Sequence, residues 1–350
     1  NLSATPTKLA PSGLDSGDRF AQSLAVTSDL IVVGAFKDEI TGSNTGAVYV
    51  YDATNLSATP TKLAPSGLSS NNLFGNAVAA TSNYVVVGTP ADSDQGGDAG
   101  AVYVFDANNL SATPTKLTPS GLGNGDYFGY AVTATSNHIV VGASSDDDQG
   151  NNAGAVYVFD ANNLSATPTK LAPSGIGASD NFGYSIAATS NQIVVAANDD
   201  DQGNNAGAVY VYDATNLSAT PTKLAPSGLD AVDYFGFSVT ATFNQIIVGA
   251  IFDDDQGSDA GAVYVYDATN LSATPTKLTP TGLDYDDRFG SSVAATSNQI
   301  VVGAYADEGT GSDTGAVYVY DANNLSATPT KLTATDGATN DYFGYSVSLG

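Results

Sequence analysis

Cysteine, methionine and tryptophan are absent, and His138 is the only histidine. Without cysteine there is no disulfide framework and no thiolate metal site. Basic side chains are also scarce. Ten Lys and Arg stand against 36 Asp and Glu, a formal net charge of -26. Such a surface repels phosphate backbones and anionic headgroups, so no nucleic-acid partner is expected. No run approaches the ~20 apolar residues of a membrane span, so no membrane insertion is expected. Charged residues make up only 13% of the chain, against a usual ~25%. The 42% hydrophobic content supplies a core and separates the chain from disordered acidic tails. The chain opens at Asn1 without Met and reads as a mature product or a fragment.

What is present is repetition. Asn-Leu-Ser-Ala-Thr-Pro-Thr-Lys-Leu begins at Asn1, Asn55, Asn109, Asn163, Asn216, Asn270 and Asn324, spaced by 54 residues five times and 53 once. Six full copies and a partial seventh result. Helical and leucine-rich solenoids use shorter periods, whereas four-stranded propeller blades run at roughly 40–50 residues.

Within one copy the signals are all β. Residues 128–134 (FGYAVTA) alternate and form strand A. A Thr-Ser-Asn turn leads to 138–143 (HIVVGA), a short apolar run expected of a strand buried on both faces, strand B. After an acidic Gly-rich loop, 155–159 (AVYVF) alternates as strand C. Residues 169–172 open a short strand D. No stretch has a 3.6-residue period, so almost no helix is expected. Val156 and Val158 share one face of strand C, and Tyr157 and Phe159 the other. Such two-faced sheets bury themselves by stacking radially. The expected fold is all-β: residues 1–350 as a single propeller domain of four-stranded antiparallel blades. Counting gives seven A, six B, six C and seven D strands. A seven-fold ring with an incomplete last blade is favoured, a six-bladed ring being the alternative.

Each copy reads Phe-Gly-x-x-Val, then Val-Val-Gly-Ala, then Gly-Ala-Val-Tyr-Val-Tyr, as at Phe289-Gly290, Val301 to Ala304 and Gly315 to Tyr320. This resembles the FG-GAP repeat of integrin α-subunits and of secreted bacterial proteins, over the whole chain. The resemblance implies a propeller with extracellular or cell-surface adhesion and ligand binding. Integrin-type copies carry a calcium loop between strands A and B. Here that link is a short turn, as at Thr296 to Gln299, so that site is not carried over and the match is closer to short-turn bacterial versions.

The acid gathers instead between strands B and C. The pattern Asp-x-Asp-x-Gly-x-Asn/Asp places oxygen ligands at positions 1, 3 and 7 around a Gly bend, as Ca²⁺ requires. The candidates are Asp92, Asp94 and Asp98; Asp146, Asp148 and Asn152; Asp199, Asp201 and Asn205; and Asp253, Asp255 and Asp259. The first and sixth copies replace position 3 with Ile40 and Gly309. A solvated turn in which Asp and Asn cap their own backbone is the competing reading. A second acidic position precedes strand A: Asp18, Asp126, Asp180, Asp233, Asp287 and Asp341, with Asn72 in the remaining copy. It reads as a turn cap, with a shared metal as the alternative. Seven lysines (Lys8, Lys62, Lys116, Lys170, Lys223, Lys277 and Lys331) lie on strand D. They either guard an outer edge against pairing or meet acidic loops of a neighbouring molecule. Each Asn-Leu-Ser is a formal glycosylation acceptor, or a β-turn copied with the repeat.

Enzyme chemistry finds little support, a hydrolase or lyase on the propeller axis being the remaining reading. Other copies place Leu30, Tyr84, Gln192, Gln245 and Gln299 where His138 stands, and no nucleophile–base pair is available. Near-identical copies present one surface repeatedly, which suits avidity or assembly. The expected role is an extracellular, non-enzymatic structural or adhesive propeller, a filament or surface-layer subunit stabilised by Ca²⁺, with self-association or cell-surface proteins and glycans as partners. The alternative is a multivalent lectin-like module.

Overall fold

A computed structural model describes residues 5–39, 42–200, 205–308 and 312–350. They form 24 strands in six four-stranded antiparallel sheets, each ordered A-B-C-D from the axis outward. In the third blade the strands are Phe128–Ala134, His138–Ala143, Ala155–Asp160 and Thr169–Leu171. Each sheet takes strands A, B and C from one copy and strand D from the next. No helix occurs among the described residues.

The two faces of strand C serve two interfaces. Tyr157 and Phe159 pack with Val86, Val102 and Val104 of the preceding blade. Val156 and Val158 pack with Phe182, Ile193 and Tyr210 of the following one. Phe128 leans edge-on against Tyr157 (5.4 Å between centroids) and Phe159 (6.2 Å). Each buried Val, Ile or Phe contributes about 1.5–3 kcal/mol, so the interfaces between blades carry much of the stability.

Glycine permits the closest approach. Gly154 (φ +86°) bridges to Phe182 of the next blade, whose carbonyl oxygen lies 2.2 Å from where a Cβ would stand. Gly100 meets Phe128 in the same way at 2.1 Å. Only a residue without Cβ fits this left-handed, crowded position. It explains the Gly before Ala-Val-Tyr in each copy.

The seven-fold preference needs correction. The described residues make six blades, not seven. Residues 5–10 and 343–349 resemble strands D and A but belong to no sheet, because no B and C strands stand between them to accept their hydrogen bonds. Residues 347–349 nonetheless line the axial channel beside the six inner strands.

Candidate functional site

Antiparallel order puts the A–B turns and C–D links at one end of the ring, and the B–C loops with the segments leading into strand A at the other. The second end carries the charged chemistry.

Tyr157 and Lys170 are register partners in the C–D ladder, so their side chains are neighbours on one face. The turn after strand B brings Asp146 onto both. Lys170 Nζ lies 2.9 and 2.7 Å from the two Asp146 oxygens, and the Tyr157 hydroxyl donates to Asp146 Oδ2 at 3.1 Å. The ammonium also sits 5.3 Å from the Tyr157 ring centroid, close enough for a cation–π contact. Asp146 is 1% exposed. A carboxylate so buried requires a paired cation and hydrogen bonds, and here it has both.

The same triad recurs in every blade. Its members are Asp38, Tyr49 and Lys62; Asp92, Tyr103 and Lys116; Asp200, Tyr210 and Lys223; Asp253, Tyr264 and Lys277; and Asp307, Tyr318 and Lys331. Burial by itself lowers a lysine pKa. At Lys170 that effect is outweighed by Asp146 and Asp148, and the result is a raised pKa. Burial pushes the Tyr157 hydroxyl up to about 12. The D-strand lysines of the six blades therefore pair within their own blade. They neither stand as free edge charges nor wait for a neighbouring molecule.

This geometry bears directly on the calcium reading. Asp94, Asp148 and Asp255, at position 3, turn onto the lysine ammonium already held by position 1, at 2.6, 2.6 and 2.5 Å. At position 7, Asp98, Asn152, Asn205 and Asp259 all adopt positive φ, between 54° and 66°. Their carbonyls accept the N–H of Tyr127, Asn181, Tyr234 and Arg288 in the next blade, at 3.1–3.3 Å. In the second, third and fifth copies positions 1 and 3 thus grip a protein cation, and position 7 ties neighbouring blades in all four. The donor set as arranged does not fit Ca²⁺ unless the lysine leaves.

In the fourth copy the buried acid is Asp200, not the expected Asp199. That copy is the 53-residue one, and its deletion falls after the turn, so counting back from Gly assigns the wrong Asp. Asp199 is held by the Asn181 amide instead. Asp201 lies outside the described residues, as do Ile40, Gly309 and Asn1. One cluster of three carboxylates occurs among the described residues, Asp230, Asp254 and Asp255, all exposed.

The second acidic position is a cap. Asp126, Asp180 and Asp287 each accept a backbone N–H from three residues earlier at 2.7 Å, from Gly123, Gly177 and Asp284. Asp18, Asp233 and Asp341 do the same at 2.7–2.8 Å. Asn72 takes this place in the second blade and adds a bond from its amide to Ala91 O at 3.2 Å. Burial, aided by Asp253 and opposed by the backbone bond, pushes Asp233 up to about 7. Burial pushes Asp287 up to about 6.

Asn55, Asn109, Asn163, Asn216, Asn270 and Asn324 are exposed at the opposite end of the ring. Each accepts the hydroxyl of the Ser two residues on, at 2.7–2.8 Å.

The FG-GAP repeat profile matches residues 5–51, 59–105, 113–159, 167–212, 220–266, 274–320 and 328–350. The chain belongs to the FG-GAP repeat family. No curated protein matches it. An FG-GAP propeller is a binding or structural module, and families of this repeat are in general non-enzymatic. No helix of the described residues is long and apolar enough to cross a membrane.

Sequence reasoning missed two features of these FG-GAP copies. The triad went unseen because its members are 10 or 11 and 13 residues apart and meet only through the C–D register. The slot of His138 carries the second feature. There Tyr84, Gln192 and Gln245 donate to the carbonyls of Ala161, Ala268 and Ala322 in the next blade, at 2.9–3.0 Å. A polar side chain opening an otherwise apolar strand B was the available signal.

Proposed function

We propose that this FG-GAP propeller is an extracellular, non-enzymatic structural or adhesive module that displays one surface from each blade. The observation that carries this reading is the recurrence of the Asp–Tyr–Lys triad in all six blades. No blade breaks its pattern in the way a catalytic dyad would. Every described loop acid of the triad is neutralised internally, so its work is to stiffen the loops. Six acidic loops anchored by the same triad favour multivalent contact or regular self-association. Electron microscopy over a range of concentrations tests the reading: ordered rows, layers or filaments are expected. Isolated particles at every concentration, with no adhesion to cell-surface material, overturn it.

A lectin-like module is the second reading, favoured by grooves on the outer rim. One of about 440 Å³ is lined by Tyr264, Tyr266, Pro275 and Lys277. A related groove of about 390 Å³ carries Tyr49, Tyr51, Pro60 and Lys62. Avid hits on a glycan array, lost on substitution of Tyr264, support it. The exposed Asn-Leu-Ser asparagines are the acceptor positions for glycans of the module's own, which peptide mass spectrometry of Asn163 checks.

A further inference from the structure

The turn between strands A and B breaks the symmetry of the ring in one blade. Five blades carry Ser at its second position, Ser28, Ser82, Ser136, Ser190 and Ser297, whereas the fifth carries Phe243. The turn itself is unchanged. Thr242 Oγ1 accepts the N–H groups of Asn244 and Gln245 at 3.3 and 3.0 Å, as Thr189 Oγ1 does those of Asn191 and Gln192 in the fourth blade. The Phe243 side chain stands out in solvent, the residue being 67% exposed. It belongs to neither apolar cluster of the fifth blade. The ring therefore serves neither the turn nor the core.

A lone exposed apolar residue is ordinary on a protein surface. Phe243 differs because it borders a groove. Between the fourth and fifth blades, at the end of the ring away from the triads, lies a cavity of about 510 Å³, within the size range of small-molecule sites. Buried Val211 and Ala268 contribute to its lining, and Asn191, Asp213 and Thr222 are exposed along it. The Thr215 hydroxyl and N–H donate to Asp213 Oδ1 at 2.6 and 2.8 Å and hold that carboxyl below its usual pKa. The groove thus joins one aromatic face to a fixed anionic acceptor, an amide and several threonine hydroxyls. No basic side chain lines it, and the chain carries a net charge of -26. Phosphates, sulfates and acidic sugars are therefore repelled.

We infer that this groove is a binding site for a neutral saccharide. Phe243 covers the apolar C–H face of one pyranose ring. Asp213 and Asn191 bond its hydroxyls, and the threonines add donors and acceptors that suit a polyol. One such site per chain is expected, because the other five blades lack the ring. The site differs from the outer groove at Tyr264. It goes beyond the surface repeated in every blade, and it can fail while the structural role and the lectin-like reading of the outer grooves both stand.

The test uses the full chain and a panel of neutral oligosaccharides built from glucose, mannose, galactose and N-acetylglucosamine. Binding is followed by saturation-transfer NMR and titration calorimetry. At least one member is expected to bind at one per chain, with transfer strongest to the C–H protons of a single pyranose. Phe243→Ser should weaken that binding about ten-fold, and Asp213→Asn about five-fold, a charged acceptor being exchanged for a neutral one. Ser is the residue of the other five blades, so the first variant is expected to fold with an unchanged Tm. A panel in which nothing binds, or binding indifferent to Phe243→Ser, overturns the inference. Binding kept in Phe243→Ser but lost on substitution of Tyr264 also overturns it, and leaves the outer groove as the sugar site. So does a chain that binds no sugar and self-associates only while Phe243 is present, since a second copy would then be the occupant.

Discussion

The Lys170 ammonium lies 2.7 Å from the 1%-exposed Asp146 carboxylate, and the Tyr157 hydroxyl completes the pair. Removing the lysine leaves a buried charge without a cation. Lys170→Ala is expected to destabilise the protein by about 3 kcal/mol. Asp146→Asn together with Lys170→Met is expected to recover most of that loss, because no uncompensated charge remains. Urea denaturation of the single and double variants checks this. Equal losses in both would show that the pair is not the source.

The two tyrosines of each strand C should behave differently. Tyr264 donates to Asp253 at 3.0 Å, whereas the buried Tyr266 hydroxyl has no partner. Phe105 and Phe159 stand in the place of Tyr266 in two other blades. Tyr264→Phe is therefore expected to cost about 1–3 kcal/mol, and Tyr266→Phe to be neutral or slightly stabilising. Thermal unfolding of both variants decides it.

Asp233 gives a pH dependence with a definite sign. Burial raises it from 3.8 to about 7. The folded state then keeps a proton that the unfolded chain has released. Its contribution is full below about pH 4 and is lost as the pH rises towards about 7. Asp233→Asn, which copies the natural Asn72, is expected to raise the Tm at about pH 8 and to flatten the pH profile between about 4 and 7. A variant less stable than the parent at about pH 8 would contradict this.

Gly154→Ala should be severe. The new Cβ would meet Phe182 O at 2.2 Å, and the backbone is held at φ +86°. A loss on the order of 3 kcal/mol is expected. Gly175 also has a positive φ but nothing within 4 Å, so Gly175→Ala should cost about 1–2 kcal/mol from backbone strain alone. Comparing their chemical denaturation midpoints separates crowding from strain.

Chelation is expected to leave the melting temperature unchanged, because positions 1 and 3 of the loops hold lysine. Calorimetry with and without EDTA measures this. A fall in Tm on chelation, restored by Ca²⁺, would mean that the ion displaces Lys116, Lys170 and Lys277 from their carboxylates.

The sequence by itself determined the strands, because alternation and repeat period are local properties. FGYAVTA and HIVVGA match strands A and B of the third blade residue for residue, and the two faces of strand C follow from side-chain alternation alone. Tertiary structure decided what the charges do. Asp146 and Lys170 are 24 residues apart and meet because the C–D ladder sets Tyr157 opposite Lys170. No spacing rule for metal ligands contains that register. The one-residue deletion in the fourth copy shows the same limit: counting chose Asp199, whereas the turn after strand B buries Asp200. Tertiary structure likewise gave six blades. A strand exists only when a neighbour accepts its hydrogen bonds, and residues 5–10 and 343–349 have none between them.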